Sequence, residues 1–202
     1  MNELPIDVLV NKENLLPSDY YPRDLVATDE NENNIHEYQD SKRKPMIRGD
    51  IYPYYKKMIE DAKTCGLEIT VDSGYRSYDY QQNVLDEFLA KFGEEAYQKV
   101  ALPGASEHQT GLAFDFGYYR DGKYYLSDFV VEEDPEAVWM KENAHNYGFV
   151  LRYPKGKEEI TGFQFEPWHF RFVGLELAKE LFDEGITLDE YYARKVNGTL
   201  KR

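Results

Sequence analysis

The sequence predicts an α+β domain in which a small, mainly antiparallel sheet is flanked by helices. Three observations predict it. Apolar residues recur at helical spacing, as at Ile51, Tyr54, Tyr55, Met58, Ile59 and Ala62. Short alternating or β-branched runs lie between such stretches, among them Leu67-Glu68-Ile69-Thr70-Val71 and Phe149-Val150-Leu151-Arg152-Tyr153. Asp121-Gly122, with apolar residues on both sides, is a hairpin signal and pairs its strands antiparallel. At 202 residues one domain is the default, long enough to bury a core. The expected division is an extended lead-in and acidic loop over 1–47 and the domain proper over 48–202.

In chain order, Pro5, Pro17 and Pro22 keep residues 1–26 extended, with Tyr20, Tyr21, Leu25 and Val26 expected to pack on the body. Thr28 to Lys44 is a polar, acidic surface loop containing a solvated His36. The helix over 51–65 tolerates Pro53 in its first turn and ends at Gly66. The strand at 67–71 delivers the chain to Ser73-Gly-Tyr-Arg-Ser77. Ser77 caps a helix carrying Val84, Leu85, Phe88, Leu89 and Phe92. A polar helix over 94–100 stops at Pro103-Gly104. Beyond the tyrosine-rich hairpin, Asp134-Pro135 starts a helix that runs to Tyr147 and stops at Gly148. His145 lies near its end, where the helix dipole favours a protonated imidazole. Strands follow at 149–153 and 162–166. Leu175 to Phe182 forms a helix, and Thr187-Leu-Asp-Glu190 is a capping box that starts the last one.

Composition excludes several function classes. Hydrophobic residues at 42% and aromatics at 15% argue for a folded protein rather than a disordered one. A net charge of −14 argues against nucleic acid, since a polyanion would be repelled. Cys65 is the only cysteine, so an intrachain disulfide and a cysteine-rich metal site are both excluded. No segment approaches the roughly 20 apolar residues of a membrane span. The N-terminus lacks a basic stretch followed by an apolar run, so the chain as written is expected in the cytoplasm, or outside it if a signal or anchor has been removed.

Chemistry concentrates in two segments. Ser106-Glu-His-Gln-Thr-Gly-Leu-Ala-Phe-Asp115 holds an imidazole and a carboxylate, and Glu166-Pro-Trp-His169 holds another of each. Two histidines and one aspartate match the stoichiometry of a catalytic zinc centre with an open fourth position, with Glu166 left over as a general base. A straight strand would hold His108 and Asp115 about 23 Å apart and point them in opposite directions. Both can reach one ion only if the chain turns between them, and Gly111 is the residue that allows it. Glu166 and His169 likewise need a kink, which Pro167 supplies. On residues alone, structural histidines are an equal reading, and the spacing does not identify a reaction.

The same residues resemble a known family. Ser106-x-His108, Asp115 and Glu166-x-x-His169 look like the LAS/VanY group of zinc D-Ala-D-Ala peptidases (peptidase family M15B), a hedgehog-like fold. Ser73-Gly-Tyr-Arg-Ser77 resembles a further block of that family. Residues 100–115, 146–154 and 159–174 are similar to the VanXY D,D-dipeptidase/D,D-carboxypeptidases. The resemblance covers roughly residues 48–195, with Leu16 to Pro22 looking like the lead-in of VanY-type enzymes.

It implies one Zn2+ per chain, held by His108, Asp115 and His169 in a cleft on the sheet. Glu166 would take a proton from the attacking water and return it to the leaving amine. Arg76 would stabilise the oxyanion. Ser106 and Gln81, or its neighbour Gln82, would hold the substrate's terminal carboxylate. Tyr75 would contact substrate and Trp168 would shape the pocket wall. Tyr118, Tyr119, Tyr124 and Tyr125 would either flank the pocket or serve only to pack the hairpin. The implied substrates are peptidoglycan precursor peptides ending in D-Ala-D-Ala, or the free dipeptide. An L,D-carboxypeptidase acting on tetrapeptides, or an inactive zinc-containing binding module, would carry the same metal set.

Overall fold

The computed structural model describes residues 3–28, 45–196 and 198. The loop expected over 28–44, His36 included, falls outside them apart from Thr28. Two short strands, β1 (Leu25–Ala27) and β2 (Met46–Arg48), pair antiparallel. Helix α1 (Tyr52–Thr64) follows, with proline in its first turn, and Tyr55, Met58 and Ala62 form its buried stripe.

The main sheet has five strands. β3 (Glu68–Ser73), β4 (Ala113–Arg120), β7 (His169–Phe172) and β6 (Phe149–Leu151) lie side by side in that order, and β5 (Lys123–Tyr125) pairs with the far end of β4. Every pairing is antiparallel. The β4–β5 turn has Asp121 and Gly122 both at positive φ, which the right-handed strand twist favours in a two-residue hairpin. The tyrosines of this hairpin stack across it, Tyr118 on Tyr125 and Tyr119 on Tyr124.

One face of the sheet buries Phe114, Phe116, Phe149, Phe170 and Phe172 against α1 and α4 (Pro135–Asn143). Strand alternation therefore turns Asp115, His169 and Arg171 to the opposite face. Helix α2 (Tyr78–Phe92) is capped by Ser77, whose hydroxyl accepts from the Tyr80 N–H at 3.1 Å. A short helix α3 (Ala96–Lys99) follows it. The chain closes with α5 (Glu158–Thr161), α6 (Leu175–Glu184) and α7 (Leu188–Val196). The capping box of α7 forms in both directions, Thr187 N–H to Glu190 and Glu190 N–H to Thr187. Among the described residues no helix is long and apolar enough to cross a membrane.

Several expectations need correction. No strand forms over 162–166. Gly162, at φ +75°, ends α5, and Glu166 N–H bonds the Tyr153 carbonyl before Pro167 interrupts any ladder. The helix that starts at Pro135 ends at Asn143 and tightens into a 3₁₀ turn over Ala144–Tyr147. Asp134 does not cap it by side chain, because that carboxylate accepts from the Val131 N–H and from Arg120. His145 is not favoured as a cation: burial, then Lys179, lowers its pKa, and the ring stacks on Phe182 at 3.6 Å. Tyr21 is 63% exposed, whereas Tyr20 is buried.

The lead-in is bound into the body rather than trailing from it. Val10, Leu16 and Tyr20 are buried, and Gln109 donates to the carbonyls of Pro17 and Tyr20. The 47/48 division falls inside β2, so β1, upstream of it, is zipped to a strand that crosses it.

Candidate metal centre and active site

Asp115 is the hub of the site. It lies directly opposite His169 across β4–β7, and directly opposite Ser73 across β3–β4. Directly opposed residues share a face, so Asp115 and His169 meet without further adjustment. The second pairing depends on an irregularity. The register shifts between Val71 and Ser73, which leaves Asp72 as an extra residue. Its buried carboxylate turns aside to accept from Tyr124 OH at 2.7 Å and from the Ser127 N–H at 2.8 Å.

His108 arrives from a different direction. Glu107–Thr110 is a 3₁₀ turn closed by Gly111 at φ +69°, after which β4 begins. This is the turn that the chemistry demanded between His108 and Asp115. A Cβ on Gly111 would lie 3.1–3.2 Å from Arg48, Leu25 and Pro22 side-chain carbons. Gly111→Ala is therefore expected to lower stability by about 1–2 kcal/mol, the cost of left-handed backbone at an L-residue. A denaturation midpoint equal to that of the parent would contradict this.

The ligand-type atoms of the three residues converge. His108 Nε2 lies 3.3 Å from His169 Nδ1 and 3.3 Å from Asp115 Oδ2, and His169 Nδ1 lies 2.9 Å from Asp115 Oδ1. All three residues are buried, and they form a group able to hold a metal ion. Ligands about 2.0–2.1 Å from a tetrahedral zinc sit about 3.3 Å from one another, so the donor set fits that ion. His108 Nδ1 faces the Gly74 carbonyl at 2.7 Å, which leaves Nε2 free to ligate.

The electrostatics of the cluster are those of a cation site. Burial would raise Asp115, yet His108 and His169 hold its carboxyl well below the usual range. Burial would lower His169, but its hydrogen bond to Asp115 and the facing Glu107 carboxylate push it up to about 9. His108 is pressed down to about 4 by burial and then by Arg76, against the pull of Asp115.

Glu166 lies beside this centre. The chain turns from Glu166 to His169, whose N–H bonds the Glu166 carbonyl at 3.3 Å, and this brings Glu166 Oε2 to 3.7 Å from His169 Nδ1. Burial, reinforced by Asp115 and Asp128, pushes Glu166 up to about 7, against His169 and Arg76. Arg76 Nη1 lies 3.7 Å from Asp115 Oδ2 and 3.4 Å from Ser73 Oγ, and its buried Nε has no hydrogen-bond partner.

A cavity of about 510 Å³ opens over these groups. Arg76, Gln81, Ser106, Glu166 and Trp168 all line it, together with the three ligand-type residues. Gln81 is buried and donates to the Ala101 carbonyl at 2.8 Å, whereas Gln82 is exposed and bonds Asp86. Tyr75 is not among the lining residues; its N–H bonds the Met46 carbonyl. The four hairpin tyrosines are not among them either. Val84, Phe88 and Phe92 of α2 form part of the cavity wall.

The residues 44–175 match the family described as VanY, D-alanyl-D-alanine carboxypeptidase. This chain belongs to the VanY family. YodJ of Bacillus subtilis is 41% identical to it over 92% of this chain and 66% of that protein. Among solved structures, the LdcB LD-carboxypeptidase is 40% identical with a TM-score of 0.79, covering 92% of this chain and 84% of that one. A variant of the vancomycin-resistance D,D-pentapeptidase VanY, solved in complex with Zn(II), is 33% identical with a TM-score of 0.74, covering 93% and 98%. The chain spans 66%, 64% and 56% of the lengths of three curated relatives, so it corresponds to only part of them.

Sequence reasoning missed part of this VanY-family site. Glu107 sits inside the motif between Ser106 and His108, and Arg152 and Arg171 flank it as buried cations. Their only signal was charge inside segments otherwise built as strands, at Val150-Leu151-Arg152 and Phe170-Arg171-Phe172.

Proposed function

We propose that this chain is a zinc-dependent D,D-carboxypeptidase that removes the C-terminal D-Ala from peptidoglycan precursors ending in D-Ala-D-Ala. The observation that carries this reading is the convergence of His108, Asp115 and His169 within one cavity, with Glu166 and Arg76 beside them. Zn(II) in a related VanY supports the identity of the ion. When bound, zinc supplies a Lewis acid for the scissile carbonyl and acidifies water.

The chain's own residues supply the rest. Glu166, with a carboxyl poised near neutrality, accepts the proton of the attacking water and returns it to the departing amine. Arg76 lines the cavity with a guanidinium whose buried Nε has no hydrogen-bond partner, which suits it to the oxyanion of the tetrahedral intermediate. Ser106 offers a hydroxyl, and Gln81 keeps one amide N–H beyond the bond to Ala101, to hold the terminal carboxylate. Trp168 forms part of the wall. Arg76→Ala is expected to lower kcat by about 100-fold or more with a smaller change in KM, as for loss of an oxyanion donor. A KM effect alone would assign Arg76 to ground-state binding.

The cavity favours an acyl-peptide over a free dipeptide. It follows α2 from Gln81 to Phe92, about 16 Å of helix, well beyond the reach of two alanines. Loss of the terminal D-Ala deletes the target of vancomycin, which makes glycopeptide resistance a role consistent with this activity. A second reading, an L,D-carboxypeptidase trimming tetrapeptides, is supported by the 40% identity to LdcB.

Incubation with a muramyl pentapeptide, its tetrapeptide and free D-Ala-D-Ala tests these readings. D-Ala release from the pentapeptide is expected. Release from the tetrapeptide alone would transfer the assignment to the L,D reading. No release from any of them, with zinc bound, would leave a binding module.

A further inference from the structure

We propose that Glu107 is a positioning residue for the metal. Its Oε2 faces Nε2 of His169 and, as a carboxylate, selects the tautomer whose proton is on Nε2 and whose Nδ1 is bare toward the ion. The inference rests on the ligand set proposed above.

Glu107 is 1% exposed and lies next to His108 in the same 3₁₀ turn, beneath the His169 ring. Its Oε1 is clamped by two guanidinium groups, Arg152 Nε at 2.7 Å and Arg171 Nη1 at 2.8 Å. That clamp leaves Oε2 aimed at His169 Nε2, 3.6 Å away. Both of those atoms are buried and neither has a hydrogen-bond partner, so each is the natural complement of the other.

A neutral imidazole carries one ring proton. Placed on Nε2, it faces the carboxylate and leaves the Nδ1 lone pair toward His108 and Asp115. Placed on Nδ1, it would point an N–H into the ligand cluster and set the Nε2 lone pair against a carboxylate. The two ligand rings are therefore oriented by different devices: His108 by the backbone carbonyl of Gly74, His169 by a side-chain anion.

The clamp is itself anchored at both ends of the chain. Arg171 Nη2 donates to the carbonyls of Ile6 at 3.0 Å and Val8 at 2.7 Å. Arg152 pairs with Asp189 in α7, and Asn11 donates to the same carboxylate at 2.9 Å. Lead-in and last helix thus hold the guanidinium pair that holds Glu107. Strand β7 carries both Arg171 and His169 on one face, so the clamp and the ligand move as one unit.

A purely structural ion cluster would also be damaged by substitution, so stability alone does not test the role. The test is the zinc dissociation constant of the full chain, measured by competition with a chromophoric chelator, for Glu107→Gln, Arg171→Met and His169→Ala. In Glu107→Gln the amide oxygen is drawn to the guanidinium pair, and its NH2 faces Nε2, forcing the ring proton onto Nδ1. Affinity is expected to fall about 10- to 100-fold. Arg171→Met keeps Glu107 on Arg152 alone, and its zinc affinity is expected to fall less than that of Glu107→Gln; an equal loss in the two would mark a general structural effect and overturn the proposal. Imidazole nitrogen NMR of the zinc-loaded parent, which depends on no variant folding, is expected to place the His169 proton on Nε2. Parental affinity in Glu107→Gln, or a His169 proton on Nδ1, would overturn the proposal. Parental affinity in His169→Ala would instead overturn the ligand set on which it rests.

Discussion

Glu166→Ala is expected to retain zinc and lose turnover by about 100- to 10,000-fold, the usual contribution of a positioned general base. The two halves of this expectation have separate structural causes. Retention follows because His108, Asp115 and His169 each offer a ligand atom within 4.8 Å of the others, while Glu166 stands outside that group, 3.7 Å from His169 Nδ1. Loss of turnover follows because Glu166 is the carboxylate beside the cluster whose environment holds it near neutrality. Burial raises it to about 7, in the range where a base both accepts and returns a proton efficiently. Metal content by elemental analysis and single-turnover rates would measure the two halves independently. A zinc-free Glu166→Ala protein would move Glu166 into the ligand set, and a fully active one would remove it from the reaction.

Chelation of the metal is expected to abolish activity and leave a folded, less stable protein. The folded state survives because the aromatic core, Phe114, Phe116, Phe149, Phe170 and Phe172, lies on the face of the sheet opposite to the site. Stability falls because the ion binds the folded chain alone. At a free concentration 100 times its dissociation constant, it contributes about 2.7 kcal/mol, or roughly 5–11 °C of melting temperature for a chain of this size. Activity and melting temperature should both return on adding Zn2+. Undiminished turnover after exhaustive chelation would dispose of the metallopeptidase reading. Global unfolding on chelation would show that the ion is part of the core and not only of the site.

Much of the fold was legible because it is locally encoded. Ser77 as a helix cap, Asp121-Gly122 as a two-residue hairpin and Thr187 with Glu190 as a capping box each involve partners three residues apart or fewer, and all three formed. The turn at Gly111 was legible for another reason: the chemistry required it, and only one nearby residue lacked a Cβ. The strand expected over 162–166 failed because alternation does not say which chain is available to pair. There the chain leaves α5 through a bend at Gly162 and Phe163, and Glu166 N–H bonds the Tyr153 carbonyl just before Pro167, so no ladder develops. The apolar residues of α2 predicted the helix but not what it faces. An apolar stripe reads the same whether it meets a core or a cavity, and Val84, Phe88 and Phe92 meet the cavity.

By itself the sequence determined the types of chemistry present, two imidazoles and three carboxylates in two short segments with a turn forced into each. Only the tertiary structure decided which groups meet. The β4–β7 register sets Asp115 opposite His169, the irregularity at Asp72 sets Ser73 on the other side, and Glu107 finds its arginines 45 and 64 residues away. The physical reason is that burying a charge demands a partner without specifying its place in the chain. Caps and turns are written in adjacent residues, whereas the partner of a buried carboxylate is chosen by the strand pairing that carries it inside.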